Sequence, residues 1–238
     1  MKNIFKIHPL TYLVLVSVLL CGYFNYFLII SFILIIHDLG HLIMFKIFHY
    51  QIKEIMILPF GSLIKSNIGA NAKTSELILI SSAGIIMQLL LYLVIPFWFK
   101  ELDYQIFLTY NQLIIFFNLL PIIPLDGSKI FMGILELLIS YKQALIIINM
   151  VSLLGIIFLV FFIGDLNAWL IIFFLGYKTY EMMVNHEHCF NYFLLTRYLY
   201  PQHYQQIKYV KKIKAIFKNK YNFINNKGET KVLALYFK

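Results

Sequence analysis

Long apolar runs alternate with short polar interruptions over the first 185 residues of the chain. The six runs lie at about 10–22, 26–48, 76–99, 104–125, 144–163 and 166–185. Each run is close to the roughly 20 residues that an α-helix needs to cross a bilayer. The pattern predicts an all-α polytopic membrane protein with six transmembrane helices. A mean hydropathy of +0.79 and 61% hydrophobic residues agree, because a soluble domain is rarely so apolar.

The composition changes near residue 190, where lysine, asparagine, glutamine and tyrosine replace the apolar runs. We therefore divide the chain into a transmembrane domain, 1–190, and a small basic cytoplasmic C-terminal region, 191–238. Lysine and arginine collect on the cytoplasmic side of membranes. Of the loops on one predicted side, only the one at 100–103 carries a basic residue, Lys100, so both termini are expected in the cytoplasm. The net charge of +9 thus reflects topology, and no direct contact with nucleic acid is expected.

The sequence His37-Asp38-Leu39-Gly40-His41 lies near the cytoplasmic end of the second apolar run and predicts a metal site. Residues at i and i+4 share one face of a helix, so both imidazoles can bind one ion. Asp126 ends the fourth run, and two histidines with a distant carboxylate form a catalytic zinc site that leaves a position for water. The alternatives are packing histidines and, for Asp126, a turn residue before Gly127.

Residues 55–64 are apolar, too short to span a bilayer and interrupted by Pro59 and Gly61. We interpret them as a short re-entrant segment. Its backbone could pair with an extended peptide, or the segment could simply anchor an interfacial loop. Asn118 could likewise bind a substrate or make an interhelical hydrogen bond.

Together these motifs resemble the site-2 protease family of intramembrane zinc metalloproteases, above all its sporulation branch. His37 to His41 corresponds to the HExxH motif of the family. Leu58 to Ser62 is similar to its glycine-containing re-entrant segment, and Asn118 to Gly127 to its NPDG-type motif. The order and spacing agree, and the likeness extends from about residue 8 to about 198.

The resemblance implies zinc bound by His37, His41 and Asp126, with Asp38 as the catalytic base. It also implies substrate binding by Asn118, Pro59, Phe60, Gly61 and Pro124. The C-terminal region would be related to a CBS domain, truncated here. Members of the sporulation branch cleave a membrane-associated pro-sigma factor at the mother-cell side of the forespore membrane, and inhibitory membrane proteins hold them inactive. Zn²⁺, such a substrate, such inhibitors and the lipid bilayer are therefore the expected cofactor and partners, while the oligomeric state is open.

Asp38 departs from the family pattern, which has glutamate after the first histidine. Aspartate is shorter by about 1.5 Å, one carbon–carbon bond, and a shift of that size can reduce a rate about a hundredfold. The main alternative is therefore a catalytically impaired membrane binding or regulatory protein of the same fold. A transporter or ion channel is a third hypothesis, which the absence of a long polar stripe disfavours.

Overall fold

The computed structural model describes residues 5–58, 61–95, 101–162 and 166–237. Its helices are α1 (Pro9–Cys21), α2 (Phe24–Ile47), α3 (Thr74–Val94), α4 (Glu101–Leu119), α5 (Asp126–Leu138), α6 (Tyr141–Phe162), α7 (Leu166–Val184), α8 (His186–Leu199) and α9 (Glu229–Tyr236). Its strands are β1 (Phe5–Ile7), β2 (Ile52–Leu58), β3 (Gly61–Ser66), β4 (Ile207–Val210), β5 (Tyr221–Ile224) and β6 (Lys227–Gly228). The mostly helical fold that the apolar runs predict is confirmed.

The chain divides into two compact units. Unit one contains Met1–Ile68 and Leu79–Asn118, and unit two contains Gly69–Ile78 and Leu119–Lys238, so the division falls within α3. The core of unit one joins α2, α3 and α4 through the buried side chains of Ile29, Ile33, Leu91 and Phe107.

Unit two contains α5 to α9 and the sheet of β4, β5 and β6. One hydrophobic core joins the start of α6 to α8 and to the C-terminal region. Its buried members are Tyr141, Leu145, Phe190, Phe193, Leu194, Ile216, Ile224 and Leu233. The C-terminal region is therefore packed against the first turns of a long apolar helix.

Three helices among the described residues are long and apolar enough to cross a membrane: α2, α3 and the segment Tyr141–Phe161 of α6. The exposed residues of α6 include Leu154, Phe158 and Phe161, a surface that a bilayer covers better than water. The prediction of six transmembrane helices is therefore not confirmed, because the described residues contain three helices of this kind. Helix α1 has 13 residues, and α4 has 19 residues that include Glu101 and Asp103.

Two three-stranded sheets were not part of the all-α prediction. Apart from Pro59 and Phe60, which lie outside the described residues, the segment interpreted as re-entrant lies in the β-hairpin of β2 and β3. Strand β2 pairs antiparallel with β3 and parallel with β1. Strand pairing satisfies backbone groups that an irregular apolar segment would leave without partners. Gly61 has φ +128°, a conformation open to glycine, where β3 begins. The re-entrant character itself is not confirmed.

Candidate metal centre

His37 and His41 lie one turn apart on α2, and both are buried, with 5% and 8% of their surfaces exposed. Their Nε2 atoms are 3.1 Å apart. The i, i+4 spacing on a helix thus directs the same nitrogen of each ring to one point.

The Nδ1 atom of His41 lies 2.7 Å from the backbone carbonyl oxygen of Ile80 on α3. A carbonyl oxygen only accepts hydrogen bonds, so Nδ1 carries the hydrogen in this contact. In the neutral ring, Nε2 of His41 therefore presents a lone pair.

A longer series of hydrogen bonds leads to the same tautomer for His37. Asn111 Nδ2 donates to the backbone carbonyl of Gln88 at 3.2 Å, which directs Asn111 Oδ1 towards the Gln88 amide. Gln88 Nε2 then donates to Asn111 Oδ1 at 3.2 Å. Gln88 Oε1 is left facing His37 Nδ1 at 2.8 Å, so Nδ1 donates and Nε2 holds the lone pair. Gln88 and Asn111 are both fully buried, which keeps water from competing for these bonds.

The space at the two Nε2 atoms depends on Gly84 of α3. A Cβ atom at this position would lie 2.6 Å from His37 Nε2 and 2.7 Å from His41 Nε2. Gly40 similarly allows α2 and α3 to approach, since its Cβ would lie 2.5 Å from the carbonyl oxygen of Ala83. Two glycines on facing helices thus preserve both the helix contact and the volume in front of the imidazoles.

These residues fit a zinc ion. Two lone pairs converge on one point, and a cation there stabilises both. Zinc–nitrogen bonds of about 2.0–2.1 Å place two nitrogens of one tetrahedral site roughly 3.3 Å apart, close to the separation found here. The hydrogen bond made by each Nδ1 is the usual support for a histidine that ligates through Nε2.

Asp38 joins the same cluster despite its short side chain. One ring nitrogen of each histidine and a carboxylate oxygen of Asp38 all lie within 4.8 Å of one another. Asp38 is half-buried. An aspartate at this position therefore reaches the neighbourhood of the proposed ion.

Asp126 is the first residue of α5, in unit two. Its side chain is 6% exposed, and its carboxylate accepts a hydrogen bond from Lys129 Nζ at 2.8 Å. A Cβ on Gly127 would collide with the backbone carbonyl of Leu119, so glycine allows the chain to turn sharply into the helix. The structure thus places a buried carboxylate at the start of a helix.

The backbone before Asp126 is held by hydroxyl groups of α6 and α7. Ser152 Oγ accepts a hydrogen bond from the Ile123 amide at 3.1 Å and donates to the Pro121 carbonyl at 3.3 Å. Thr179 Oγ1 donates to the Ile123 carbonyl at 3.4 Å. Irregular backbone among apolar helices is tolerated when neighbouring side chains satisfy it in this way.

No family model matches the chain. It is similar to stage IV sporulation protein FB of Bacillus subtilis, with 28% identity over 204 residues, which cover 81% of this chain and 70% of the relative. Its structure is similar to that of the site-2 protease from Methanocaldococcus jannaschii. The TM-score is 0.57 and the identity 22%, with 75% of this chain and 89% of the other covered.

The resemblance to the site-2 proteases is confirmed.

The substrate-binding residues assigned from the site-2 protease motifs lie in several different elements. Pro59 and Phe60 lie outside the described residues. Gly61 begins β3, and Pro124 is half-buried in the loop before α5. Asn118 donates from Nδ2 to the Ile114 carbonyl of its own helix at 3.1 Å, instead of across helices. The roles of these residues in substrate binding stay predictions.

Sequence reasoning missed the residues that support the site-2 protease motifs. They are Gly84, Gln88, Asn111, Ser152 and Thr179. Gln88 and Asn111 gave a signal that could have been used, because uncharged polar residues inside apolar helices usually hydrogen-bond to a neighbouring helix. Gly84 gave none, since its importance depends on which helix packs against it.

Proposed function

We propose that the protein is an intramembrane zinc metalloprotease that cleaves a membrane-associated protein. The observation that carries this proposal is the convergence of His37 Nε2 and His41 Nε2, at 3.1 Å, with each Nδ1 engaged by α3. His37, His41 and Asp126 are the three proposed ligands. Zinc bound there would supply Lewis-acid chemistry, activating a water molecule and polarising the scissile carbonyl.

Asp38 is the proposed general base. Its carboxylate accepts a proton from the attacking water and returns a proton to the amide nitrogen as the carbon–nitrogen bond breaks. The position of its carboxylate within 4.8 Å of the imidazole nitrogens supports this role, because a base must lie close to the activated water.

The β-hairpin is the proposed binding edge for the substrate. β3 pairs with β2 along one edge, and within the described residues no strand pairs with its other edge. The hairpin packs on α2, where the Cβ position at Gly61 is 4.0 Å from Leu34 Cδ2. An extended peptide could therefore add a strand beside the helix that carries both histidines.

The similarity to a sporulation protein supports a narrower proposal for the substrate. It is a membrane-associated pro-sigma factor, cleaved on the cytoplasmic, mother-cell side of the forespore membrane. Inhibitory membrane proteins would regulate the cleavage. Both termini of the protease are proposed to be cytoplasmic.

Co-expression with a membrane-tethered pro-sigma substrate tests the proposal, with product size as the readout. The native chain should release a shorter product, and His37→Ala and Asp38→Asn should not. His203→Ala is the matched control, because His203 is exposed and remote in sequence from the motif, and it should cleave normally. Failure of the native chain and of Asp38→Glu alike would overturn the protease proposal.

One observation favours a second candidate, a catalytically impaired regulatory protein that binds the substrate without cleaving it. Aspartate stands at position 38, where the family has glutamate. If Asp38→Glu cleaves and the native chain only retains the substrate in a pull-down, this second function is correct.

A further inference from the structure

Every exposed charge in the described part of the C-terminal region is positive. The exposed lysines are Lys208, Lys211, Lys212, Lys214, Lys227 and Lys231. Glu229 is the only acidic residue after position 200 in the sequence, and it is buried against Arg197 at 3.1 Å. Its charge is therefore neutralised internally. The exposed Glu187 of α8 pairs with Lys142 and also acts electrostatically on Lys214, so the lysines of this surface remain in excess over the carboxylates near them.

Part of this surface combines lysines with exposed apolar side chains. Lys211, Lys212 and Lys214 line an open hollow of about 560 Å³ together with Leu235 and Tyr236 of α9. Leu235 is 67% exposed and Tyr236 is 50% exposed. A lysine-rich rim beside leucine and tyrosine is the composition of surfaces that lie in the headgroup layer of a bilayer.

The connection to α6 fixes this hollow close to the end of a membrane-length helix. The Tyr141 amide, at the start of α6, donates to the Ile216 carbonyl at 3.0 Å. Lys214 precedes Ile216 by two residues, a reach of at most about 7 Å of extended chain. Since α6 is apolar enough to cross a membrane, the basic hollow lies near the surface where that helix enters it.

We propose that the hollow lined by Lys211, Lys212, Lys214, Leu235 and Tyr236 docks on the anionic headgroups of the bilayer that α6 enters. Charge complementarity selects an acidic surface, and the attachment to α6 makes the membrane the nearest one. The exposed leucine and tyrosine distinguish a lipid interface from a nucleic acid, whose backbone offers little to bind an aliphatic side chain. This docking requires that α6 crosses a membrane, and it does not require that the protein is a protease.

Spin labelling of the full chain in lipid nanodiscs tests this docking. A nitroxide is attached at Leu235→Cys in a Cys21→Ser/Cys189→Ser background, and its accessibility to a water-soluble nickel complex is measured. Discs of phosphatidylcholine are compared with discs containing phosphatidylglycerol. A nitroxide at Thr230→Cys, an exposed position on the same helix, is the matched control.

We expect nickel accessibility at position 235 to fall severalfold when phosphatidylglycerol is added, and accessibility at position 230 to change little. Each lysine near an anionic surface raises membrane occupancy about fivefold. The triple variant Lys211→Gln/Lys212→Gln/Lys214→Gln should therefore abolish the fall in nickel accessibility, whereas Lys227→Gln should keep most of it. Salt at 0.5 M should reduce the fall, because the Debye length is then only about 4 Å.

Unchanged accessibility at position 235 would overturn the proposal. Accessibility at position 235 that is already far below that at position 230 in phosphatidylcholine discs would also overturn it, because apolar contact alone would then explain docking. A larger fall on adding soluble polyglutamate or DNA to phosphatidylcholine discs would identify a different acidic partner. None of these results depends on substrate cleavage, so they leave the protease proposal untouched.

Discussion

His37 Nε2 faces His41 Nε2 at 3.1 Å, while the opposite nitrogen of each ring is held by α3. The two rings are therefore oriented by groups outside their own helix: the Ile80 carbonyl for one and the Gln88 amide for the other. Such outer contacts fix the tautomer before an ion binds, so little reorganisation accompanies binding.

Gly84→Ala should prevent zinc binding. The added Cβ would occupy the volume within 2.7 Å of both Nε2 atoms. We expect zinc content, measured by mass spectrometry of the purified protein, to fall at least tenfold. Gly176→Ala on α7 is the matched control, because nothing lies within 4 Å of its Cβ position. Normal zinc content in Gly84→Ala would show that the ion lies elsewhere.

Gln88→Leu should weaken zinc binding about 10- to 100-fold, the usual effect of removing a group that orients a ligand. The His37 ring would lose the acceptor for its Nδ1 hydrogen. Competition with a chelator measures the affinity. Asn118→Leu is the control, since the Asn118 amide donates to the Ile114 carbonyl of its own helix, and this variant should bind zinc normally. Equal affinities for both variants would contradict a supporting role for Gln88.

Asp126→Asn should reduce zinc content, because a neutral amide is a weaker ligand than a carboxylate. The isosteric change preserves the size of the side chain at the start of α5. Asp103→Asn on α4 makes the same chemical change at a position without a proposed ligand role. Unchanged zinc in Asp126→Asn would remove Asp126 from the ligand set and leave Asp38, which lies within 4.8 Å of the histidine nitrogens, as the candidate carboxylate ligand.

Lys218→Met should destabilise unit two. Lys218 Nζ lies 2.9 Å from Glu136 Oε2, with both side chains 3% exposed, and Thr74 Oγ1 donates to the same oxygen at 2.7 Å. Breaking a buried pair leaves a buried charge, at a cost of about 3–5 kcal/mol. Thermal unfolding in detergent measures this, and Glu136→Gln/Lys218→Met should recover part of the loss. Lys227→Met, at an exposed position, should stay within about 0.5 kcal/mol of the native protein.

The same pair predicts a pH dependence. Burial lowers the pKa of Lys218 below its ordinary value of 10.5, although Glu136 acts in the opposite direction. In the window just below 10.5 the unfolded chain therefore holds more protons than the folded one, and stability should rise with pH. Lys218→Met should lack this rise in its unfolding midpoint. An identical rise in that variant would assign the effect to another group.

The sequence predicted the features that depend on local spacing. The apolar run before His37 predicts a membrane-length helix, and the i, i+4 histidines predict a shared face, because both follow from helix geometry alone. The β-hairpin was missed, since Ile55 to Ile64 lacks the apolar–polar alternation of a half-buried strand and contains Pro59. Gly84 was missed for a different reason: its role arises only when α3 packs on α2, and one sequence does not reveal which helices meet.

The hydroxyl groups of Ser152 and Thr179 would couple the start of α5 to the thickness of the bilayer. They tie the Pro121 and Ile123 backbone to α6 and α7. Apolar helices respond to a thinner or thicker hydrocarbon layer by changing their tilt. A change in the tilt of α6 or α7 would shift the backbone of residues 121–123, and with it Asp126, which begins α5. Lipid chain length could thus adjust the position of a proposed zinc ligand without any contact between lipid and ligand.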